Sequence, residues 1–501
     1  MSAHLILDRF KAFASRQQVP LNRLTLLFGA NSSGKSSIIH GLLTMKQAAA
    51  SGWRSFDVRR PLTSGRRLDL GGFRNIVNSR SKRGFTLGLG LHSTAERNLN
   101  QTDDAFPASE VFGDYLDGYP SDIGVEVSSK AGNIDSIEVM LDQRPFAQLV
   151  FIASKIDGFV IRDVDVKHPL YPLVAKDRDT GRRASKKELL GRLRWTGIRP
   201  DSRSYFVHPD HRPDEAAGPA SPEWRLLRIV ERAIFASTNF VERALHLGPI
   251  RDIPDRFHGA EDVYGKPTMS EGSAAWETLL NDKKARSELD VWLRDRKLLG
   301  RRFELDVDHS VTLSEVIRST KQRGNWPNHE AKVRQDMFMR AQNPARPFLL
   351  VNDVDAGRRA SSLHDVGFGL SQVLPVLAYS LVPDSLLIAI EQPELHVHPA
   401  AQADLADLFI EASTKTVRRK GNNFLLETHS EHLILRLLRR IRETKAGNAP
   451  ENRRITASEV SILFVSPSDE GSWVTHLPVD DNGEFTEPWP EGFLPDRTKE
   501  L

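Results

Sequence analysis

The sequence predicts an α/β fold: a mixed sheet flanked by helices, split by a long α+β insertion that carries a short helical arm. Three observations predict it. The strand-length run Leu24–Phe28 leads into a glycine-rich turn, after which Ile38, Ile39, Leu42, Leu43 and Met45 recur at helical spacing. A second apolar run, Leu386 to Ile390, ends abruptly in an acid, Glu391. Between the two lie several hundred residues whose polar loops, strand-like runs and helical patterns form no single repeat.

The turn is Gly29-Ala30-Asn31-Ser32-Ser33-Gly34-Lys35-Ser36-Ser37, which fits G-x-x-x-x-G-K-[ST]. Gly29 and Gly34 let the backbone turn tightly, so that successive N–H groups face one anion. A helix starting near Lys35 aims its positive dipole end at the same point. Lys35 is expected to reach the β- and γ-phosphates of a nucleotide, and Ser36 to place its hydroxyl on Mg²⁺. A strand ending in an acid supplies the other half of such a site, with Glu391 as the expected Mg²⁺ partner.

Composition bounds the rest. The 501 residues suffice for two or three domains, and 39% hydrophobic content suffices for a large core. With 69 basic and 66 acidic side chains, net charge +3, any nucleic-acid surface must be a local patch. The absence of cysteine excludes disulfides, thiolate metal sites and thiol nucleophiles. No basic-then-apolar leader opens the sequence, and the most apolar stretch, Val373 to Ile390, is interrupted by Pro375, Pro383 and Asp384. A cytoplasmic protein without a membrane partner is expected.

Taken in order, Leu5 to Phe13 reads as a first strand and turn, and Leu68 to Phe73 and Phe85 to Leu91 as strands. Residues 94–122 read as a polar loop, Ile134 to Leu141 and Gln148 to Ile152 as strands, and Pro209 to Pro222 as linker. Arg182, Arg183, Lys186, Lys187, Arg192 and Arg194 are either a solvated face or a contact for nucleic acid or a partner. Helical spacing returns at Glu223 to Ala244, Ala275 to Leu280 and Ala285 to Leu298 without sustained heptads, giving the short arm. Arg251, after the turn Leu247-Gly248-Pro249-Ile250, is part of an ordinary turn or a phosphate contact. The strand Leu349 to Val354 precedes Gly367-Phe368-Gly369-Leu370-Ser371-Gln372, glycines and a serine at a helix start. His396 and His398 have H-x-H spacing but no further ligand at convincing spacing. The strand Asn423 to Glu427 ends in Thr428-His429-Ser430; His429 reads as a γ-phosphate contact, or Ser430 as a plain helix cap. Arg436, Arg439, Arg440 and Arg442 are a solvated face or a contact surface, and Val460 to Val465 is a last buried strand.

With the phosphate loop, the turn at Arg251, the Gly369 stretch, the Glu391 strand and His429 in this order, the chain resembles ABC-type AAA-family ATPases of the RecF, SMC and OLD lineage. It is most similar to small bacterial members ending in a domain of unknown function, which the tail Asp481 to Phe485 and Trp489 to Phe493 resembles. The resemblance implies a core in two parts, residues 1–93 and 346–480, with an insertion at 94–345 and a tail at 481–501. It implies ATP and Mg²⁺ as ligands, Gly369, Leu370, Ser371 and Gln372 as a degenerate signature touching the γ-phosphate on a second subunit, and His429 as the switch histidine. It further implies head-to-tail dimers or larger assemblies closed by ATP, with DNA-related or phage-defence roles and a separate effector. Two positions depart from the pattern. No glutamine loop is evident, and Gln392 stands where a catalytic glutamate usually follows the Mg²⁺ acid. An amide positions water but accepts no proton, which predicts slow hydrolysis, with Glu394 as a substitute base if its loop turns inward. A non-hydrolysing ATP-clamped scaffold is the alternative. An OLD-type nuclease is disfavoured because only 71 residues follow Ser430, a core strand and the tail among them, where a toprim domain needs roughly a hundred beyond the ATPase core.

Overall fold

The computed structural model describes residues 3–53, 70, 73–81, 84–92, 122–130, 133–152, 158–177, 180–193, 197–198, 206–207, 221–251, 273–295, 301–310, 346–357, 359–381, 387–414 and 421–488. Most of the expected strand Leu68 to Phe73, most of the loop at 94–122, almost all of the linker at 209–222 and the tail segment Trp489 to Phe493 lie outside them.

The strands run β1 (Ala3–Asp8), β2 (Gln17–Leu21), β3 (Leu24–Phe28), β4 (Phe85–His92), β5 (Asp122–Lys130), β6 (Asn133–Leu141), β7 (Arg144–Ile152), β8 (Gly158–Val164), β9 (Gly197–Ile198) and β10 (Phe206–Val207). They continue with β11 (Ala244–Leu247), β12 (Phe303–Ser310), β13 (Arg346–Asp353), β14 (Arg359–Ser362), β15 (Leu387–Glu391), β16 (Phe424–Glu427), β17 (Val460–Ser466) and β18 (Trp473–His476). The longer helices are α1 (Lys35–Ala50), α2 (Pro222–Glu242), α3 (Ser273–Asn281), α4 (Lys283–Asp295), α5 (Phe368–Leu381), α6 (Pro399–Ser413) and α7 (Glu431–Lys445).

Three sheets result. A six-stranded sheet has the order β11-β15-β16-β3-β17-β18, parallel throughout except for the last pair. A nine-stranded antiparallel sheet has the order β10-β9-β8-β7-β6-β5-β4-β1-β2, and β12, β13 and β14 form the third. The nine-stranded sheet continues past residue 93 without a break, because β4 pairs along its whole length with β5.

The parallel strands are apolar on both faces, as strands covered on both sides must be. Alternation divides them cleanly. Leu24, Leu26, Phe28, Ile388, Ile390, Phe424 and Leu426 enter one core with α5, α6 and α7. Leu27, Leu387, Ala389 and Leu425 enter the other, with α1, α2 and the nine-stranded sheet. This is the α/β core with a phosphate loop that the sequence predicted, a mixed sheet between helical and β layers. The arm lies against the body. Helix α2, capped by the Ser221 hydroxyl, buries Leu226, Ile229, Val230, Ile234 and Phe240, while α3 and α4 pack on α5 and β12 through Trp276, Leu279, Leu289 and Trp292. No helix among the described residues is long and apolar enough to cross a membrane.

Candidate nucleotide site

Sheet order places the site. The phosphate loop leaves β3, and β15, which carries Glu391, lies one strand away; β16 runs between them. All three strands point their carboxyl ends the same way, so their terminal residues converge at one edge.

The loop holds its expected conformation. Gly29 has φ 142°, Ser32 φ 61° and Gly34 φ 107°, and α1 begins at Lys35. A side chain at Gly29 would put its Cβ 2.1 Å from the Val465 carbonyl oxygen, so β17 leaves room for glycine alone. Lys35 Nζ donates to the carbonyls of Gly29 at 3.0 Å and Ala30 at 2.8 Å. Asn31 and Ser32 are exposed, whereas Ser33 is fully buried and its Oγ has no hydrogen-bond partner. Ser37 turns inward as part of the first helical turn, its N–H bonded to the Gly34 carbonyl.

Ser36 is the meeting point. Its hydroxyl donates to Glu427 Oε2 at 2.8 Å and is also a hydrogen-bonding neighbour of Glu391. Glu391 and Glu427 are register partners on adjacent parallel strands. Parity explains the convergence: Glu391 follows Leu387 and Ala389, and Glu427 follows Leu425, on the face that packs against α1, whose first turn carries Ser36. Glu427 was not among the expected site residues; the signal that finds it is this alternation on a strand beside the phosphate-loop strand.

The acids differ in electrostatics. Burial alone would raise Glu391, but the His246 Nε2 bond at 2.8 Å, the electrostatic influence of the neighbouring His246 and His40 rings and the Ser36 hydroxyl hold it below the usual carboxylate range. Glu427 is pushed up, by burial first and then by Glu391 and Glu394. Glu394 is turned inward: Oε1 accepts the His429 N–H at 2.6 Å, Oε2 lacks a close hydrogen-bond partner among the described residues, and burial raises its pKa against the pull of the His429 N–H and the Thr428 hydroxyl. Burial lowers Lys35, opposed by Glu427 and Glu394. His429 is half-buried and lowered by burial and by the Lys35 charge. Ser430 caps α7, its Oγ accepting the Leu433 N–H at 3.1 Å, so the cap and the histidine occupy consecutive positions. His398 caps α6 through its ring nitrogen.

Residues read as phosphate or signature contacts lie inside the fold. Arg251 is buried, and its guanidinium donates to the carbonyls of Glu391 and Gln392, each at 2.9 Å, and of Gln372 at 3.2 Å. The side chains of Ser371 and Gln372 are turned inward. Both are buried inside α5, and the Gln372 amide donates to the Arg251 carbonyl at 2.9 Å. Gly369 is half-buried beside them. The exposed approach to this helix is His364 to Gly367 instead, where Gly367 has open space in place of a side chain. His246 on β11, His40 one turn into α1 and Arg251 complete the polar surroundings of the site.

The family described as "AAA domain, putative AbiEii toxin, Type IV TA system" matches residues 172–436, more than half of the chain. The chain belongs to this AAA family. The matched span holds Arg251, Glu391 to Glu394, Glu427 and His429, and the phosphate loop precedes it. Membership makes this AAA protein a nucleotide-binding chain of the ATPase class. No curated protein matches it. Solved structures similar to it include the SMC head bound to the C-terminal winged-helix domain of ScpA, at 12% identity over 95% of this chain and 97% of that one, TM-score 0.41. The SMC head domain from Thermotoga maritima is similar at 11% identity over 95% and 98%, TM-score 0.36. An SMC head with extended coiled coil, bound to the C-terminal domain of ScpA from Pyrococcus furiosus, is similar at 12% identity over 95% and 97%, TM-score 0.35.

The residues of the AAA site suit a magnesium nucleotide. Among the described residues the buried Ser33 hydroxyl and Glu394 Oε2 are polar atoms without close hydrogen-bond partners, at the loop and the acidic edge. Carboxylates, a serine hydroxyl and a lysine are the hard oxygen and cationic groups that Mg²⁺ and phosphate take.

Proposed function

We propose that the chain binds ATP with Mg²⁺ at the Gly29–Ser37 loop and hydrolyses it slowly, working as an ATP-gated dimer or larger assembly. The observation that carries this reading is the Ser36 hydroxyl set against Glu391 and Glu427 at the mouth of the loop. Ser36 and Glu391 hold the cation, which would draw charge from the β- and γ-phosphate oxygens. Lys35 leaves its loop carbonyls for the phosphates, and the half-buried His429 lies within reach of the Lys35 charge, where a γ-phosphate sensor belongs.

Glu394 takes the general base role. Its free carboxylate oxygen accepts the proton of a water that attacks the γ-phosphorus as the bond to the bridging oxygen breaks and ADP leaves with the electron pair. Burial raises its pKa above the ordinary carboxylate value, which strengthens it as a base. Gln392 orients that water and takes no proton. A Glu394 that stayed unproductive would leave an ATP-held scaffold for an effector, the reading Gln392 itself favours. A DNA-related or phage-defence role rests on the resemblance alone. The candidate basic face on α7 is occupied by acids, since Arg436 and Arg440 bind Asp407, Arg439 binds Glu443 and Arg442 binds Glu484.

The test is nucleotide binding and assembly in Lys35→Ala. Wild type is expected to bind a fluorescent ATP analogue and to gain mass in light scattering when ATP and Mg²⁺ are added. Binding and assembly unchanged in Lys35→Ala would sink the reading.

A further inference from the structure

We propose that Glu427 is a second carboxylate of the cation site, acting on the Ser36 hydroxyl, and that it makes nucleotide binding by this chain conditional on a divalent cation. The inference rests on the ATP reading above and adds a residue and a gate to it.

A serine hydroxyl lends a lone pair to a cation only when its hydrogen points elsewhere. Here the hydrogen is already directed to Glu427 Oε2 at 2.8 Å. Glu427 thus competes with Glu391 for the one hydroxyl hydrogen and draws the rotor toward β16. The carboxylate is held there by its strand: β16 pairs with β3 on one side and β15 on the other, so it is an interior strand, and Glu427 is only 5% exposed.

The second argument is charge. Glu391 and Glu427 are register partners, and the buried Glu394 acts electrostatically on both Glu427 and Lys35. Glu394 is nine-tenths buried and its Oε2 lacks a close hydrogen-bond partner among the described residues. Arg251, whose charge acts on Glu391 and Glu394, is committed to three main-chain carbonyls. A polyphosphate brought to this edge meets three carboxyl groups, with Lys35 as the loop's own cation. Like charges at this separation repel strongly where water is excluded. A divalent cation between the carboxylates and the phosphates turns that repulsion into attraction.

The experiment measures the affinity of a fluorescent, non-hydrolysable ATP analogue across a Mg²⁺ titration, with an EDTA arm, in wild type, Glu427→Gln and Glu427→Asp. In wild type, affinity should climb steeply with Mg²⁺. Glu427→Gln should bind the analogue more tightly in EDTA, because a repelling charge is gone. Its Mg²⁺ midpoint should rise by about tenfold, the usual effect of losing a group that orients a metal ligand. Glu427→Asp keeps the charge but shortens the reach, so its midpoint should rise while its EDTA affinity stays at the wild-type value. It carries the test alone if Glu427→Gln fails to fold. A purely structural glutamate would lower stability, read by thermal melting, and leave the Mg²⁺ midpoint where it was; that result overturns the assignment to Glu427 only. A wild type that binds no nucleotide with or without Mg²⁺ overturns the ATP reading and this inference with it.

Discussion

Arg251 donates to the carbonyl of Gln392 at 2.9 Å, and Gln392 is held at φ 46°, a left-handed backbone that glutamine seldom adopts. The same guanidinium holds the Glu391 carbonyl and, through Gln372, the start of α5. One buried cation therefore fixes the turn that carries the acidic edge and ties it to the helix beyond. Such a conformation persists only where its surroundings over-determine it.

Arg251→Met should consequently cost stability first. It roughly keeps the volume but takes this donor from two buried carbonyls and a half-buried one, at about 1–3 kcal/mol for each group left unsatisfied. The urea midpoint should fall clearly. An unchanged midpoint would mean that the carbonyls find other donors.

Gly29→Ala should be more damaging than its one methyl suggests. The new Cβ would stand 2.1 Å from the Val465 carbonyl at φ 142°, so the loop or β17 must move. Backbone strain of this kind costs about 1–3 kcal/mol. The expected outcome is a lower melting temperature together with lost nucleotide binding, whereas an exposed-loop change such as Asn31→Ala should leave the melting temperature unaltered.

The contrast between these two residues shows what was legible. The phosphate loop was readable because its strand, glycines, lysine and serine are contiguous, and Glu391 because an apolar strand ends in it. Glu427 needed one fact more, that β16 lies beside β3; its parity then puts it at Ser36. Arg251 and Gln372 meet across 121 positions, and His246 and Glu391 across 145. No local pattern encodes such pairings. They arise from the sheet order, which brings β11 against β15. The inward turn of Gln372 was illegible for the same reason, since its helical face is set by Arg251, a partner that the motif does not contain.

Asp407 organises the arginines of α7. It is 1% exposed and accepts from Arg440 at 2.6 Å, Arg436 at 2.8 Å and Arg453 at 3.3 Å. Burial alone would raise its carboxyl, but these guanidiniums hold it low. Asp407→Ala strips all three of a shared partner, and breaking a buried pair typically costs about 3–5 kcal/mol. Chemical denaturation should show a loss of that order. A loss below about 1 kcal/mol would place the arginines among ordinary surface charges.

His40 gives the fold a pH dependence with a definite sign. Burial first, then the Lys11 charge, lowers its pKa from 6.5 to about 4, and its Nδ1 accepts from Lys11 Nζ at 2.9 Å. The unfolded chain therefore binds a proton between pH 6.5 and 4 that the folded chain refuses. Stability is complete above 6.5 and falls as pH drops toward 4, by up to about 3 kcal/mol at 1.36 kcal/mol per unit. In His40→Gln the slope of unfolding free energy against pH across this window should flatten. A slope equal to wild type would assign the acid sensitivity to other groups.

Glu394 and Gln392 make opposite predictions for turnover. Glu394 has a carboxylate oxygen without a close hydrogen-bond partner among the described residues, behind the His429 N–H, while Gln392 has only an amide, on a backbone fixed by Arg251. If Glu394 is the base, Glu394→Gln should lower steady-state phosphate release by about 10²–10⁴, the range for such a group. Nucleotide affinity should change little, because the substitution is isosteric and the His429 N–H keeps an acceptor. Gln392→Glu should then add little, since a base is already present. The reverse result, a large gain in Gln392→Glu with Glu394→Gln unaffected, would show that the native chain lacks a working base and holds ATP as a clamp. Equal and unchanged release in both variants would place the proton acceptor on neither residue.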